Sequence, residues 1–104
     1  MAADDELLRE VERVADRVRL AAPRLAGRGS SEAEQQLADI RTVLQQLADL
    51  AADAERTERR AVPVVGPAAL ADQLTVLGRE VAQTCPEPSL SAAQELLVAL
   101  RRRL

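Results

Sequence analysis

Apolar residues near the N-terminus recur at alternating steps of four and three, which places them on one face of an α-helix. The members of this stripe are Leu7, Val11, Val14, Val18, Ala21 and Leu25. Acidic residues at 4–6 precede it and complement the positive end of a helix dipole. Because proline removes a hydrogen bond and clashes with the preceding turn, Pro23 predicts that the first helix stops or kinks near Ala22, with Gly27 and Gly29 completing the break.

The second helix has the most regular stripe in the chain. Its members are Ala33, Leu37, Ile40, Leu44, Leu47, Ala51 and Ala54. Ser31 and Glu34 have the spacing of a capping box, in which each side chain satisfies an amide at the helix start, so the helix is predicted to begin there. Arg59 and Arg60 carry charges that suit a C-terminus, and the helix is predicted to run to them.

Two further helices follow a proline-containing connector at residues 61–67. Pro67 is well placed at a first helical position, and the third stripe then contains Leu70, Leu74, Leu77 and Val81. The two prolines within residues 85–88 predict its end. Ser91 and Gln94 repeat the capping-box spacing and predict the start of a fourth helix. That helix presents Ala93, Leu96, Leu97, Leu100 and Leu104.

These elements predict an all-α fold, a single helical-bundle domain over residues 1–104. Short connectors make each helix antiparallel to the one before, which gives an up-down-up-down four-helix bundle with one long second helix. At 1.5 Å per residue the four stripes span about 27, 32, 22 and 17 Å. The first two helices therefore extend beyond the two that should cover them, and part of their apolar stripe is expected to remain uncovered.

Composition removes most catalytic and nucleic-acid functions. The chain has no histidine and no aromatic residue, and its net charge is −3. Without histidine there is no serine triad, cysteine–histidine pair or helical di-iron ligand set, so we expect no enzyme, no metal and no cofactor. An acidic chain without stacking residues is not expected to bind nucleic acid. The paired carboxylates are predicted to lie on solvated faces; they are Glu10 and Glu12, Asp49 and Asp53, and Glu55 and Glu58.

Three features bear on the location of the protein. The N-terminus is acidic where a signal peptide would be basic, and no apolar stretch reaches the roughly 18 residues that span a bilayer, so a cytoplasmic location is expected. The lone Cys85 excludes an intramolecular disulfide and is interpreted as a small buried hydrophobe rather than a redox thiol. The scarcity of residues with AT-rich codons is typical of a GC-rich bacterial gene.

Two positions within helices leave alternatives open. Gly78 costs about 1 kcal/mol relative to alanine inside a helix, and it marks either a close helix crossing or a neutral replacement. Arg101, Arg102 and Arg103 suit the negative end of a helix dipole, but beside the leucines of the fourth helix they also admit contact with a membrane surface or a partner.

The uncovered stripe predicts association. Val43 and Leu50 widen the stripe of the second helix, and Leu96 and Leu100 lie on the fourth. We expect these four residues at an interface, and we expect the chain to be a non-catalytic protein-interaction or assembly module that forms a homodimer. The alternative is a small apolar-ligand or membrane-surface binder that uses residues 62–65 and the basic fourth helix.

Overall fold

The computed structural model describes residues 2–104 and confirms an all-α four-helix bundle. Helix α1 spans Ala3–Arg28, α2 spans Ser31–Glu55, α3 spans Leu70–Thr84 and α4 spans Glu87–Arg103. A single 3-10 turn, Pro67–Ala69, leads into α3. None of the helices within the described residues is long and apolar enough to cross a membrane.

Helix α1 is as long as α2, because Pro23 does not end it. The prediction of a stop near Ala22 is wrong: the helix continues to Arg28, and Gly29 ends it in the left-handed conformation, with φ 63°. Proline costs about 3 kcal/mol in a helix interior. Ala22 and Leu25 lie in the core on either side of the proline, and their burial offsets that cost.

Helix α2 begins at Ser31 as predicted, but its capping residue lies one position earlier. The capping residue is Ser30, whose Oγ accepts a hydrogen bond from the backbone N–H of Ala33 at 3.1 Å. Ser31 is the first helical residue, so the predicted capping box of Ser31 and Glu34 is wrong. Consecutive serines offer the same capping chemistry, and only Ser30 has the extended backbone that a cap requires.

Helix α2 also ends earlier than predicted. It stops at Glu55, and Arg56 follows in the left-handed conformation with φ 57°, so the predicted extension to Arg59 and Arg60 is wrong. The last buried residue of α2 is Ala51. Beyond it, no burial stabilises a further turn.

Helix α4 begins earlier than its predicted capping box. Pro86 is the capping residue and Pro88 lies within the first turn. Backbone N–H groups in the first turn have no acceptor within the helix, so the absence of one in proline costs no hydrogen bond there. Ser91 is an interior helical residue, so the predicted start at Ser91 and Gln94 is wrong. The early start adds Leu90 to the core.

Helices α3 and α4 lie on different sides of the bundle, and each packs against both α1 and α2. The longest connector, residues 56–66, runs back along α2, so Arg41 and Gln45 contact it shortly before α3 begins. Cys85, directly after α3, contacts the backbone of Leu50 further along α2. Helix α3 therefore follows α2 in the same direction, and the expected reversal of direction holds at the two short connectors only.

The buried apolar residues among positions 2–104 are all leucine, isoleucine, valine or alanine. Its largest members with complete burial include Leu7, Ile40, Leu44, Leu47, Leu70, Leu74, Leu97 and Leu100. Apart from the half-buried Ala21, the stripe of α1 is buried from Leu7 to Leu25, and that of α2 is buried from Ala33 to Ala51. The expectation of an uncovered stripe is therefore wrong, because the 3-10 turn and the start of α3 cover α1 where α4 does not reach.

Gly78 marks a close approach between α3 and α1. A Cβ atom at this position would lie 2.5 Å from Cγ2 and 2.9 Å from Cγ1 of Val11. Such distances are too short for carbon atoms in contact, so a larger residue would force the helices apart. The first of the two interpretations of Gly78, a helix crossing, fits the structure.

A buried ion pair joins α1 to α4. Glu10 is 3% exposed, and its carboxylate accepts hydrogen bonds from Arg101 Nε at 2.7 Å and Arg101 Nη2 at 3.4 Å. Arg13 lies 3.6 Å from the same carboxylate. The prediction that Glu10 lies on a solvated face is wrong, because its hydrogen bonds come from Arg101, on a helix at the other end of the chain, and bury it between α1 and α4.

Ser30→Ala should destabilise the protein by about 0.5–2 kcal/mol, because the amide of Ala33 loses its acceptor. Chemical denaturation monitored by circular dichroism measures this loss. Ser31→Ala is the matched control and should change the free energy of unfolding by less. A larger loss for Ser31→Ala would contradict the capping assignment.

Arg101→Met should destabilise the protein by about 1.5–3 kcal/mol, because it leaves the Glu10 carboxylate buried without its closest partner. The exposed neighbour provides a control: Arg102→Met should change stability by at most about 0.5 kcal/mol. Adding Glu10→Leu to Arg101→Met should recover most of the loss, since no charge then stays buried. Equal losses for the two arginine variants would argue against the ion pair.

Candidate functional site

The structure separates the four predicted interface residues into two pairs. Val43 and Leu100 are 2% and 0% exposed, so the core already covers them within the single chain. Leu50 and Leu96 are half-buried and line one groove between α2 and α4. Only the second pair has surface to offer to a partner.

The α2–α4 groove combines small apolar residues with charged ones. Its apolar part comes from Leu50, Leu96, Ala92 and Ala99, and its polar part from Gln46, Asp49, Asp53, Arg59 and Glu95. Its volume is about 490 Å³. Because charged side chains make up much of its lining, an apolar partner would have to desolvate them.

Arg59 closes one end of this groove by folding back onto α2. Its Nε and Nη2 donate to the two carboxylate oxygens of Asp53 at 2.9 and 2.7 Å, and Asp49 lies 3.8 Å away. The hydrogen bond from Arg59 lowers the pKa of the Asp53 carboxyl and raises the pKa of the guanidinium. Both groups are solvent-exposed, so the pair fixes the chain direction after α2 more than it stabilises the fold.

Two glutamine side chains hold the connector in place. Gln45 of α2 donates through Nε2 to the carbonyl of Arg60 at 3.0 Å and accepts at Oε1 from the backbone N–H of Val62 at 2.9 Å. Gln73 of α3 donates to the carbonyl of Pro63 at 2.8 Å. The connector therefore has a defined path, although it forms no regular secondary structure.

The anchored connector and α3 form the connector groove, a concave surface whose lining is mostly apolar, with Arg60, Asp72 and Gln73 as its polar members. Its apolar lining residues are Ala48, Ala61, Val62, Pro63, Val65, Ala69, Val76 and Leu77, and its volume is about 470 Å³. Val76 is 64% exposed, and Val64 on the adjacent connector is 85% exposed. None of the lining residues comes from α4, so the basic end of α4 does not contribute to this groove.

Sequence reasoning identified residues 62–65 as an apolar connector but missed Val76, Gln45 and Gln73. Val76 lies beside the stripe residue Leu77 and outside the stripe itself, a signal that resembles the one used for Val43 and Leu50. The two glutamines gave no signal, because their role depends on the path of the connector. Across residues 2–104, no three acidic, histidine or cysteine side chains converge to hold a metal ion.

Comparison with known proteins adds no further assignment. No protein-family model, no curated protein and no solved structure matches this chain.

Cys85 is half-buried at the junction of α3 and α4. Its Sγ donates to the carbonyl oxygen of Leu50 at 3.5 Å and contacts the Thr84 hydroxyl at 3.9 Å. Burial raises the pKa of the Cys85 thiol, and nearby carboxylates, Glu55 first among them, raise it further, whereas the Thr84 contact lowers it. The thiolate fraction at neutral pH is therefore smaller than that of a free cysteine.

Native protein at neutral pH should react with a disulfide-exchange reagent much more slowly than the same chain unfolded in guanidinium, because both burial and the raised pKa limit thiolate attack. A colourimetric thiol assay measures both rates, and the unfolded chain is the control. Equal rates, or a quantitative interchain disulfide under mild oxidation, would contradict a structural role for Cys85.

Proposed function

We propose that this chain is a non-catalytic protein-interaction module that self-associates through the connector groove. The observation that carries the proposal is the exposure of Val76, at 64%, within a groove whose lining is mostly apolar, together with that of Val64, at 85%, on the adjoining connector. Scattered surface hydrophobes need no explanation, but a contiguous apolar surface is typical of a contact site.

The groove is also preorganised for contact. Gln45 and Gln73 fix the connector backbone by three hydrogen bonds, so its valine side chains are presented without the ordering cost of a free loop. Binding energy from their burial is then available for association.

A second copy of the chain is the simplest partner. Two-fold homodimers are the commonest soluble oligomers, and an apolar surface can be self-complementary across the two-fold axis. Val43 was expected at the contact because the α2 stripe was predicted to be uncovered, and its burial within the single chain removes that argument. The charged residues around Leu50 make the α2–α4 groove the weaker candidate for the contact. A single cysteine without a disulfide supports a cytoplasmic location.

The wild-type chain should be dimeric at micromolar concentration, and Val76→Glu should give a folded monomer, because an unpaired carboxylate would be buried at the contact. Light scattering with refractive-index detection measures the mass, since the chain has no aromatic absorbance. Leu20→Glu is the matched control: Leu20 is also 64% exposed but lines neither groove, and this variant should remain dimeric.

Three outcomes would redirect the proposal. A monomeric wild type across the micromolar range would exclude self-association. Loss of the dimer in Leu50→Glu but not in Val76→Glu would move the contact to the α2–α4 groove. An unchanged mass in Val76→Glu, together with lost binding of an apolar fluorescent probe, would favour the second candidate function below.

The second candidate is a small apolar-ligand binder that uses the same groove. A volume of about 470 Å³ lies within the range of small-molecule sites, and the lining is largely apolar. Membrane-surface binding has less support, because only Arg102 and Arg103 of the basic run are exposed and Arg101 is paired with Glu10.

A further inference from the structure

A second, smaller pocket lies beneath the connector, on the side that faces α2. Arg41, Leu44 and Gln45 form one wall, residues 62–64 form another, and Gln73 closes it from α3. Its volume is about 130 Å³. Since a water molecule occupies about 30 Å³ in the liquid, the pocket has room for a few waters or one small organic ion.

Arg41 is the single charged residue in the lining of this pocket, and its guanidinium is poorly satisfied. Its Nη2 donates to the carbonyl of Val65 at 3.4 Å, a long hydrogen bond. Its Nε is buried without a hydrogen-bond partner, and no carboxylate among the described residues lies within salt-bridge distance of it. A partly desolvated cation with an orphaned donor is costly, so an anion that pairs with it stabilises the folded chain.

The other lining groups define which anion fits. Both amide hydrogens of Gln45 are used, by Asp49 and by the carbonyl of Arg60. Gln73 donates one amide hydrogen to the carbonyl of Pro63, which leaves its second amide hydrogen for a ligand. The remaining walls, Leu44 and residues 62–64, are apolar. One guanidinium and one spare amide satisfy the two oxygens of a carboxylate, whereas a phosphate dianion would bury oxygens that lack donors.

We infer that this pocket binds a small aliphatic monocarboxylate, of the size of propionate or butyrate. The carboxylate pairs with the Arg41 guanidinium through one oxygen and accepts the spare amide hydrogen of Gln73 at the other, and the alkyl group packs against Leu44 and the connector. This site adjoins the proposed contact surface. Val62, Pro63 and Gln73 line both, so an occupied pocket fastens the connector that shapes the groove.

The test measures thermal unfolding of the full chain by circular dichroism while sodium butyrate replaces sodium chloride at constant ionic strength. The wild-type Tm should rise with butyrate concentration, because a ligand that binds only the folded state stabilises it by mass action. Arg41→Gln should bind butyrate about tenfold more weakly or worse, because it loses a charge-assisted pair. Arg17→Gln, at an exposed arginine on α1, is the control and should respond as the wild type does.

A size series in the wild type keeps the test independent of any variant. Propionate and butyrate should raise Tm more than a bulky branched carboxylate or inorganic phosphate at the same concentration, because neither of the latter fits a small pocket with one cation and apolar walls, and phosphate acts only through its general exclusion from protein surfaces. A wild-type Tm that does not respond to butyrate would overturn the inference. So would an equal response to phosphate, or an undiminished response in Arg41→Gln. The oligomeric state is measured separately by light scattering, so failure here leaves the proposed self-association unaffected.

Discussion

The close packing of α1 with α3 is the constraint on which the rest of the fold depends. A core without aromatic rings contains little side-chain bulk, so its helices must approach closely to leave no voids. Gly78 permits this approach, since a Cβ atom there would lie within 3 Å of both methyl carbons of Val11. With α3 fixed against α1, the 3-10 turn before it covers the C-terminal half of α1, and the stripe of α1 is buried to Leu25.

Arg101 and Arg41 carry the same guanidinium group but have different partners in the fold. Arg101 keeps a third of its side chain exposed while it pairs with Glu10, so the buried carboxylate is satisfied and α4 is held against α1. Arg41 is fixed on α2 beneath the connector and meets only a backbone carbonyl. Because the packing of the helices places no carboxylate near Arg41, its positive charge has no ionic partner within the chain. An external anion that enters the pocket pairs with this charge.

The helices and most core positions could be predicted from the sequence, because leucine and valine at helical spacing determine which face is buried. The start of α2 and the end of α3 also agree with the sequence, but the capping serine of α2 and the end of α1 could not be predicted, since Ser30 and Ser31 differ by one position and Pro23 looks like a stop unless the burial of Ala22 and Leu25 is known. The prediction that Glu10 is solvated failed for a related reason. A polar residue beside an apolar stripe is usually solvated, and its partner Arg101 lies 91 positions away in the sequence.

The sequence pointed to residues 62–65 but not to the helical walls of the connector groove or to the Arg41 pocket, because both depend on where α2 stops. A helix that continued to Arg60 would carry the next residues roughly 10 Å beyond Glu55, at 1.5 Å per residue, and away from Gln45. Because α2 ends at Glu55, the chain instead turns at Arg56 and returns along α2, where Gln45 binds both Arg60 and Val62. That return places one face of the connector over Arg41 and the other beside Val76. An apolar loop without periodicity thus becomes a wall of two sites: Val62 and Val65 pack against the core, whereas Val64 between them stays exposed.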